Sequence, residues 1–380
     1  MKKILLIPDS FKGTMSSAEI CAIMERAILK FEPDARVISI PVADGGEGSV
    51  DAFLTALGGE KIKTTVQGPF EQPVEGFFGI INETGAKTGV VEMAAAAGLP
   101  LALPRLNPLQ ATTYGAGELI KAALDAGCTK LIIGLGGSAT NDGGCGAAAA
   151  LGVRFFDKNG AAFVPVGGTL KDIARIDVSG RDARLETAEL ITMCDIDNPL
   201  YGENGAAFVF APQKGADTQA VQFLDDGLKA LAGTVRACLG LDKAAMPGAG
   251  AAGGMGYGMN VFLGSTLKMG IETVLDTVKF DELLAGADCV FSGEGKIDTQ
   301  SLRGKVVIGI ARRTKKAGVP LIAVVGDIGD GIEAAYDSGV SAIFSINRVA
   351  VDFSKAKARA KTDMALTMEN IMRFKRLFGG

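Results

Sequence analysis

Histidine is absent from the 380 residues. That excludes a Ser-His-Asp triad, a His-based zinc site and an imidazole general base, so any chemistry falls to Asp, Glu, Lys, Ser, Thr and the backbone. The six cysteines, at 21, 128, 145, 194, 238 and 289, are far apart and form no CxxC pair. Free and mostly buried thiols in a reducing cytoplasm are therefore expected, not a disulfide framework. Long apolar runs are missing too. The most apolar stretch, Met93 to Leu103, is interrupted by Gly98 and Pro100, well short of the roughly 20 residues a membrane helix needs. The opening MKKILLI is cut by Pro8 and Asp9, which favours a buried first strand over a signal-peptide core. Finally, no excess of positive charge exists. A net charge of −4 and a pI near 5.2 leave no basic footprint for nucleic acid. The expectation is a soluble cytoplasmic protein with neither nucleic acid nor membrane as partner.

What is present in excess is glycine, 52 residues without a fixed period, roughly twice the average usage of about 7%. Much of it gathers in four loops that also carry acids or hydroxyls: ADGGEG (43–48), GLGGSATNDGG (134–144), PGAGAAGGMG (247–256) and SGEGKIDTQS (292–301). Such loops can offer successive backbone N–H groups to an anion, while nearby carboxylates hold Mg²⁺ or accept a proton.

The length suggests two domains. Lys3 to Ile7, Ser16 to Leu29, Arg36 to Ile40 and Gly48 to Leu57 alternate strand and helix, the pattern of a parallel α/β sheet. Ser16 with Glu19 reads as a capping box. From 61 to 91 the segments KIKTTVQ, VEGFFGII and TGVVEM suggest an antiparallel intrusion, after which α/β alternation returns at 114–151 and 288–345. A long helix is expected near 218–239 and a Gly/Met-rich one after Gly253. The predicted fold is a Rossmann-like parallel α/β/α domain (1–60, 90–145 and 275–380) with a second, inserted mixed-sheet α/β domain (61–89 and 146–274), the active site lying in the cleft between them.

Most of the chemistry-bearing residues stand at predicted strand ends, where open α/β sheets bind ligands. PDSFKG brings Ser10 and Lys12, and ADGGEG brings Asp44 and Glu47. GLGGSATNDGG runs from an apolar strand into a helix, as a phosphate site would. Its Gly134, Gly136 and Ala139 also fit the dinucleotide spacing GxGxxA, with Asp157 ending the next predicted strand, so an NAD-dependent hydroxy-acid oxidoreductase stays open. CDIDNPL sets Asp195 and Asp197 two apart, which a β period would turn the same way. Lys214 sits in a Gln-Lys-Gly turn. PGAGAAGGMG follows no strand, leaving close helix packing or a phosphate-facing helix start. SGEGKIDTQS presents Glu294, Lys296 and Asp298 together but lacks the Ser/Thr of a P-loop, Ile297 standing in its place.

Taken in order, PDSFKG, PVADGGEG, EMAAAAGL, GLGGSATNDGG, CDIDNPL, PQKGA, PGAGAAGGMG and SGEGKIDTQSLRGK resemble the bacterial glycerate kinases of the first class, over about residues 2 to 345. The resemblance implies ATP-dependent phosphorylation of D-glycerate with Mg²⁺ in two α/β domains. It also implies 2-phosphoglycerate as product, the 3-phosphate being the alternative. Phosphoryl transfer needs positioning and charge neutralisation more than covalent chemistry, which suits a chain without histidine. The resemblance does not itself assign roles. From residue chemistry, Lys12 with Ser10 is expected to hold the glycerate carboxylate or the transferring phosphate, and Asp195 or Asp142 to accept the hydroxyl proton. Asp44, Glu47, Ser138 and Asn141 are expected on the substrate. Gly136, Gly137, Lys214, Gly250, Gly253, Gly293, Gly295 and Lys296 are expected on the nucleotide. Asp197, Glu294 and Asp298 are expected on the metal.

Overall fold

The strand segments Lys3–Leu6, Arg36–Ser39, Cys289–Ser292, Leu321–Val325 and Val340–Ser345 are short, and those at the sheet centre are apolar. They pair only in parallel. Ile4, Leu5, Leu6, Val290 and Phe291 are fully buried, as expected of a parallel sheet covered on both faces. The computed structural model describes residues 2–43, 45–46, 48–83, 86–299, 301–303 and 305–378. Contacts divide the chain into two units: 1–44, 55–57 and 271–380 form the first, and 45–54 with 58–270 the second.

In the first unit the strand order is 340–345, 321–325, 289–292, 3–6, 36–39. Numbered along the chain this is the doubly wound order 2-1-3-4-5, whose direction of winding reverses between the first and third strands. The helix Ser17–Phe31 starts on the expected capping box. The Glu19 amide donates to Ser16 Oγ at 3.2 Å, and the Ser16 amide donates to Glu19 Oε2 at 2.9 Å. Against this helix packs Phe353–Phe378, a helix the sequence reading did not anticipate. Its signal was the four-residue spacing of Met364, Met368 and Met372, which join Ile20, Met24 and Ile28 in one core. Surrounding charged residues hid that stripe; they pair across to the helix Ser17–Phe31, Glu369 with Lys30 at 2.8 Å and Lys361 with Glu19 at 2.5 Å.

The second unit holds a six-stranded sheet in the order 266–268, 189–193, 130–134, 86–92, 73–83, 60–67. The first four strands are parallel and the last two antiparallel, so the predicted mixed sheet is present. A separate three-stranded sheet joins 162–163, 154–156 and 175–177. The division differs from the one expected. Residues 90–145 were expected in the first domain, yet Lys130–Gly134 is hydrogen-bonded on one edge to Ala86–Glu92 and on the other to Glu189–Met193. That ladder ties the stretch to the second unit. Among the described residues no cysteine forms a disulfide; Cys238 is exposed and the others are buried. Among the described residues no helix is long and apolar enough to cross a membrane.

Candidate active site

In the first unit the winding reverses between Lys3–Leu6 and Cys289–Ser292, and the loops leaving their carboxyl ends lie side by side. The Asp9 amide donates to the Gly293 carbonyl at 2.8 Å, and Ser292 Oγ donates to the Ile7 carbonyl at 2.9 Å. Ligands of such sheets bind at this switch point. The two loops carry Asp9, Ser10 and Lys12 on one side and Gly293, Glu294, Gly295, Lys296 and Asp298 on the other. The Ser10 amide donates to Asp9 Oδ1 at 2.7 Å, Lys12 is exposed, and Lys296 stands 3.7 Å from the half-buried Asp298. Glu294 is only 6% exposed, and its Oε1 has no hydrogen-bond partner among the described residues. Burial above all pushes its carboxyl up to about 7; a bond from Ser301 and the charge of Lys305 oppose this, while Asp9 and Asp298 add to it.

In the second unit the loop 134–144 leads from Lys130–Gly134 to the short helix Cys145–Ala150. Asp142 is fully buried and acts as that helix's cap, because Gly144 at the N-cap has no side chain to do so. Asp142 Oδ2 accepts from the Thr113 amide and Oγ1, both at 2.8 Å, and from the Gly146 amide at 3.2 Å. Its Oδ1 accepts from the Gly144 amide at 3.1 Å. Burial pushes this carboxyl up and the four donors hold it down. Lys214, 2% exposed, donates from Nζ to Ser138 Oγ and to the Thr140 carbonyl, each at 2.7 Å. Burial pushes its ammonium down to about 7, against the nearby charge of Asp142. Asn141 is fully buried, and among the described residues neither its Oδ1 nor its Nδ2 is bonded and Thr140 Oγ1 has no partner. Each such group costs about 1–3 kcal/mol.

The lysine's depressed value carries a stability consequence. With a value of about 7 in the fold and about 10.4 in the unfolded chain, Lys214 binds more protons in the unfolded chain between those limits. Stability should therefore rise with pH across that window, by up to about 1.4 kcal/mol per pH unit. Urea unfolding at pH 7.5, 8.5 and 9.5 is expected to show that rise in the wild type relative to Lys214→Met. Parallel curves would mean that Lys214 is charged in the fold.

Several of the glycines expected on the nucleotide are also close-packing positions. Gly136, Gly250, Gly253 and Gly293 each lie where a Cβ would strike backbone of their own unit, as close as 2.0 Å for Gly253 against the Thr140 carbonyl. The space their missing side chains leave is filled by neighbouring chain. Ala252, Gly253 and Gly254 are consecutive left-handed residues, and the Gly143 amide donates to the Gly253 carbonyl at 3.1 Å. PGAGAAGGMG is thus the close-packed helix start that the sequence left open as one reading. Gly137, exposed with φ +77°, and Gly295 keep an open side.

The dinucleotide spacing also dissolves. No helix opens at Ala139, the next one starting at Cys145, and Arg154–Phe156 before Asp157 belongs to the small separate sheet. Asp195 is half-buried and accepts from the Gly270 amide at 2.7 Å, whereas Asp197 is exposed. The strand ends at Met193, so the two-residue period expected to turn them alike does not reach them. Asp197 belongs to the second unit, Glu294 and Asp298 to the first. Among the described residues no group of three or more acids or cysteines is assembled to hold a metal. Asp44 and Glu47 lie outside the described residues.

One residue was missed. Glu92, 2% exposed at the end of Ala86–Glu92, accepts from the Val50 amide at 2.6 Å and the Gly48 amide at 3.2 Å. It anchors the start of the helix Ser49–Leu57, which follows ADGGEG and has no side-chain cap of its own. A lone acid ending the apolar string VVE was the available signal.

The family model described as "Glycerate kinase family" matches residues 4–376. The chain belongs to the glycerate kinase family. It is 45% identical over 370 residues to the glycerate kinase of Bacillus subtilis (strain 168), covering 97% of this chain and 96% of that one. It is 43% identical over 345 residues to the glycerate 2-kinase of Escherichia coli (strain K12), covering 90% of each. A crystal structure of a Salmonella typhimurium LT2 protein assigned as glycerate kinase 2 superposes with a TM-score of 0.87 at 39% identity, covering 99% of this chain and 98% of that one. The family places the chain among the phosphotransferases with an alcohol group as acceptor. The oxidoreductase alternative is thereby set aside.

Proposed function

We propose that the protein transfers the γ-phosphoryl group of ATP to the C2 hydroxyl of D-glycerate, with Mg²⁺, yielding 2-phospho-D-glycerate. The observation that carries this reading is the family match across nearly the whole chain; the choice of C2 draws on the E. coli relative named glycerate 2-kinase. Asp195 is the proton acceptor in this reading. It is half-buried and follows the carboxyl end of Glu189–Met193. Asp142, the other candidate, takes a structural part in this reading, because four internal donors already occupy its carboxylate. Lys12 and Ser10 bind an anionic oxygen at the switch point, and Gly137, Gly295 and Lys296 offer N–H groups and charge to phosphates.

Glu294 and Asp298 suit Mg²⁺. Glu294 has a buried oxygen without a hydrogen-bond partner among the described residues, and it suffers repulsion from Asp9 and Asp298 that a cation would relieve. Mg²⁺ keeps several waters and takes only one or two protein carboxylates beside substrate phosphates, so a ready three-acid cage is not required. Bound there, it would supply neutralisation of phosphate charge.

The test is one reaction of purified protein with ATP, Mg²⁺ and D-glycerate, following ADP release and locating the new phosphate by phosphorus NMR. Glycerate-dependent ADP with phosphate on C2 is expected. Phosphate on C3 would overturn the regiochemistry, and no glycerate-dependent ADP would overturn the reading itself.

A further inference from the structure

The polar cluster around Lys214 has more hydrogen-bonding capacity than the described residues use. Nζ has two acceptors, Ser138 Oγ and the Thr140 carbonyl, and among the described residues no carboxylate lies within ion-pair distance. A neutral amine has two N–H groups and a lone pair, whereas an ammonium has three N–H groups. Two acceptors satisfy the amine and leave the ammonium with an unused donor. Beside them in sequence, Asn141 Nδ2 and Oδ1 and Thr140 Oγ1 are buried and have no partner among the described residues. Apolar side chains would fill such positions at less cost, which argues for a ligand. The backbone here is held tightly, since Gly253 leaves no room even for a methyl group against the Thr140 carbonyl. Ser138, 7% exposed beside the exposed Gly137, is the member nearest solvent.

We propose that Ser138, Thr140, Asn141 and Lys214 form an oxyanion site for a carboxylate or phosphoryl group, and that Lys214 takes up a proton from solvent as the anion binds. This rests on the phosphoryl-transfer reading above. The proton passes from buffer to the Nζ lone pair; no other bond forms or breaks. Among the described residues Asp142 is the charged group that bears on the lysine, and its carboxylate is already occupied by four donors. The third N–H of the new ammonium, the Asn141 amide and the Thr140 hydroxyl are the donors left for the anion. Burial that lowers the lysine to about 7 keeps most of it neutral at pH 8 until then.

Isothermal titration of the full-length protein tests this at pH 8, in two buffers of different ionisation enthalpy. D-Glycerate is titrated in one arm and a non-hydrolysable ATP analogue with Mg²⁺ in the other. One arm is expected to show uptake of most of a proton per site. Uptake with glycerate assigns the site to the carboxylate, and uptake with the analogue assigns it to a phosphoryl group. Lys214→Met is expected to abolish uptake and weaken that ligand at least tenfold while sparing the other. Lys214→Arg, with its fixed charge, should bind without uptake. Should the lysine variants fail to fold, Asn141→Leu is expected to raise the unfolding temperature while weakening the same ligand, which a purely structural role would not do. Binding of both ligands without proton exchange, or of neither, overturns the proposal. ADP release by the wild type is read separately, so a working kinase that exchanges no proton sinks this inference alone.

Discussion

Replacing Asp142 with alanine is expected to lower the unfolding free energy by about 3–5 kcal/mol. The carboxylate accepts from three backbone amides and the Thr113 hydroxyl inside a fully buried site. Alanine would leave all four donors without that partner, at about 1–3 kcal/mol for each buried group left unsatisfied. Relief of the carboxylate's own burial, and water entering the space, offset part of that sum. The helix Cys145–Ala150 would lose its cap as well, since Gly144 offers no side chain. Urea unfolding followed by far-UV circular dichroism measures the effect. A loss below about 1 kcal/mol would show that these bonds do not hold the loop 134–144 in place.

Asp195→Asn is expected to lower kcat by about 10²–10⁴-fold, the usual worth of a positioned proton acceptor. KM for D-glycerate should change little, because the amide keeps an oxygen able to accept from the Gly270 amide, as Asp195 Oδ1 does at 2.7 Å. Stability should change far less than in the Asp142 variant, for Asp195 is only half-buried. The contrast between the two substitutions separates a proton acceptor from a structural carboxylate. A fall of less than tenfold, about 1.4 kcal/mol in the barrier, would remove Asp195 from that role. A matching rise in KM would recast it as a substrate contact.

Sequence alone determined the class of chemistry and most of the elements. Without histidine the chain was confined to carboxylates, lysines, hydroxyls and backbone amides, and its ordered motifs carried the family resemblance that the match over 4–376 bears out. Local signals were sufficient where the physics is local. The Ser16–Glu19 capping box, the apolar first strand and the antiparallel segments between 61 and 91 all formed where their residues favour them.

What only tertiary structure decided depends on partners distant in sequence. The 2-1-3-4-5 strand order sets Pro8–Gly13 beside Gly293–Asp298, some 280 residues along the chain, and no local pattern encodes that pairing. Residues 90–145 read locally like more of the first domain, yet strand neighbours on both edges claim Lys130–Gly134 for the other sheet. Glycines that look like phosphate loops by spacing, such as Gly253 against Thr140, make room for backbone from another segment. The same holds for the acids and the lysine. By sequence Asp142 is a candidate proton acceptor and Lys214 a nucleotide contact, and it is burial among Thr113, Ser138 and Thr140 that turns one into a cap and lowers the other to about 7. Composition and periodicity record which residues tend to be buried; only packing fixes which donor meets which acceptor, and that fixes their charge.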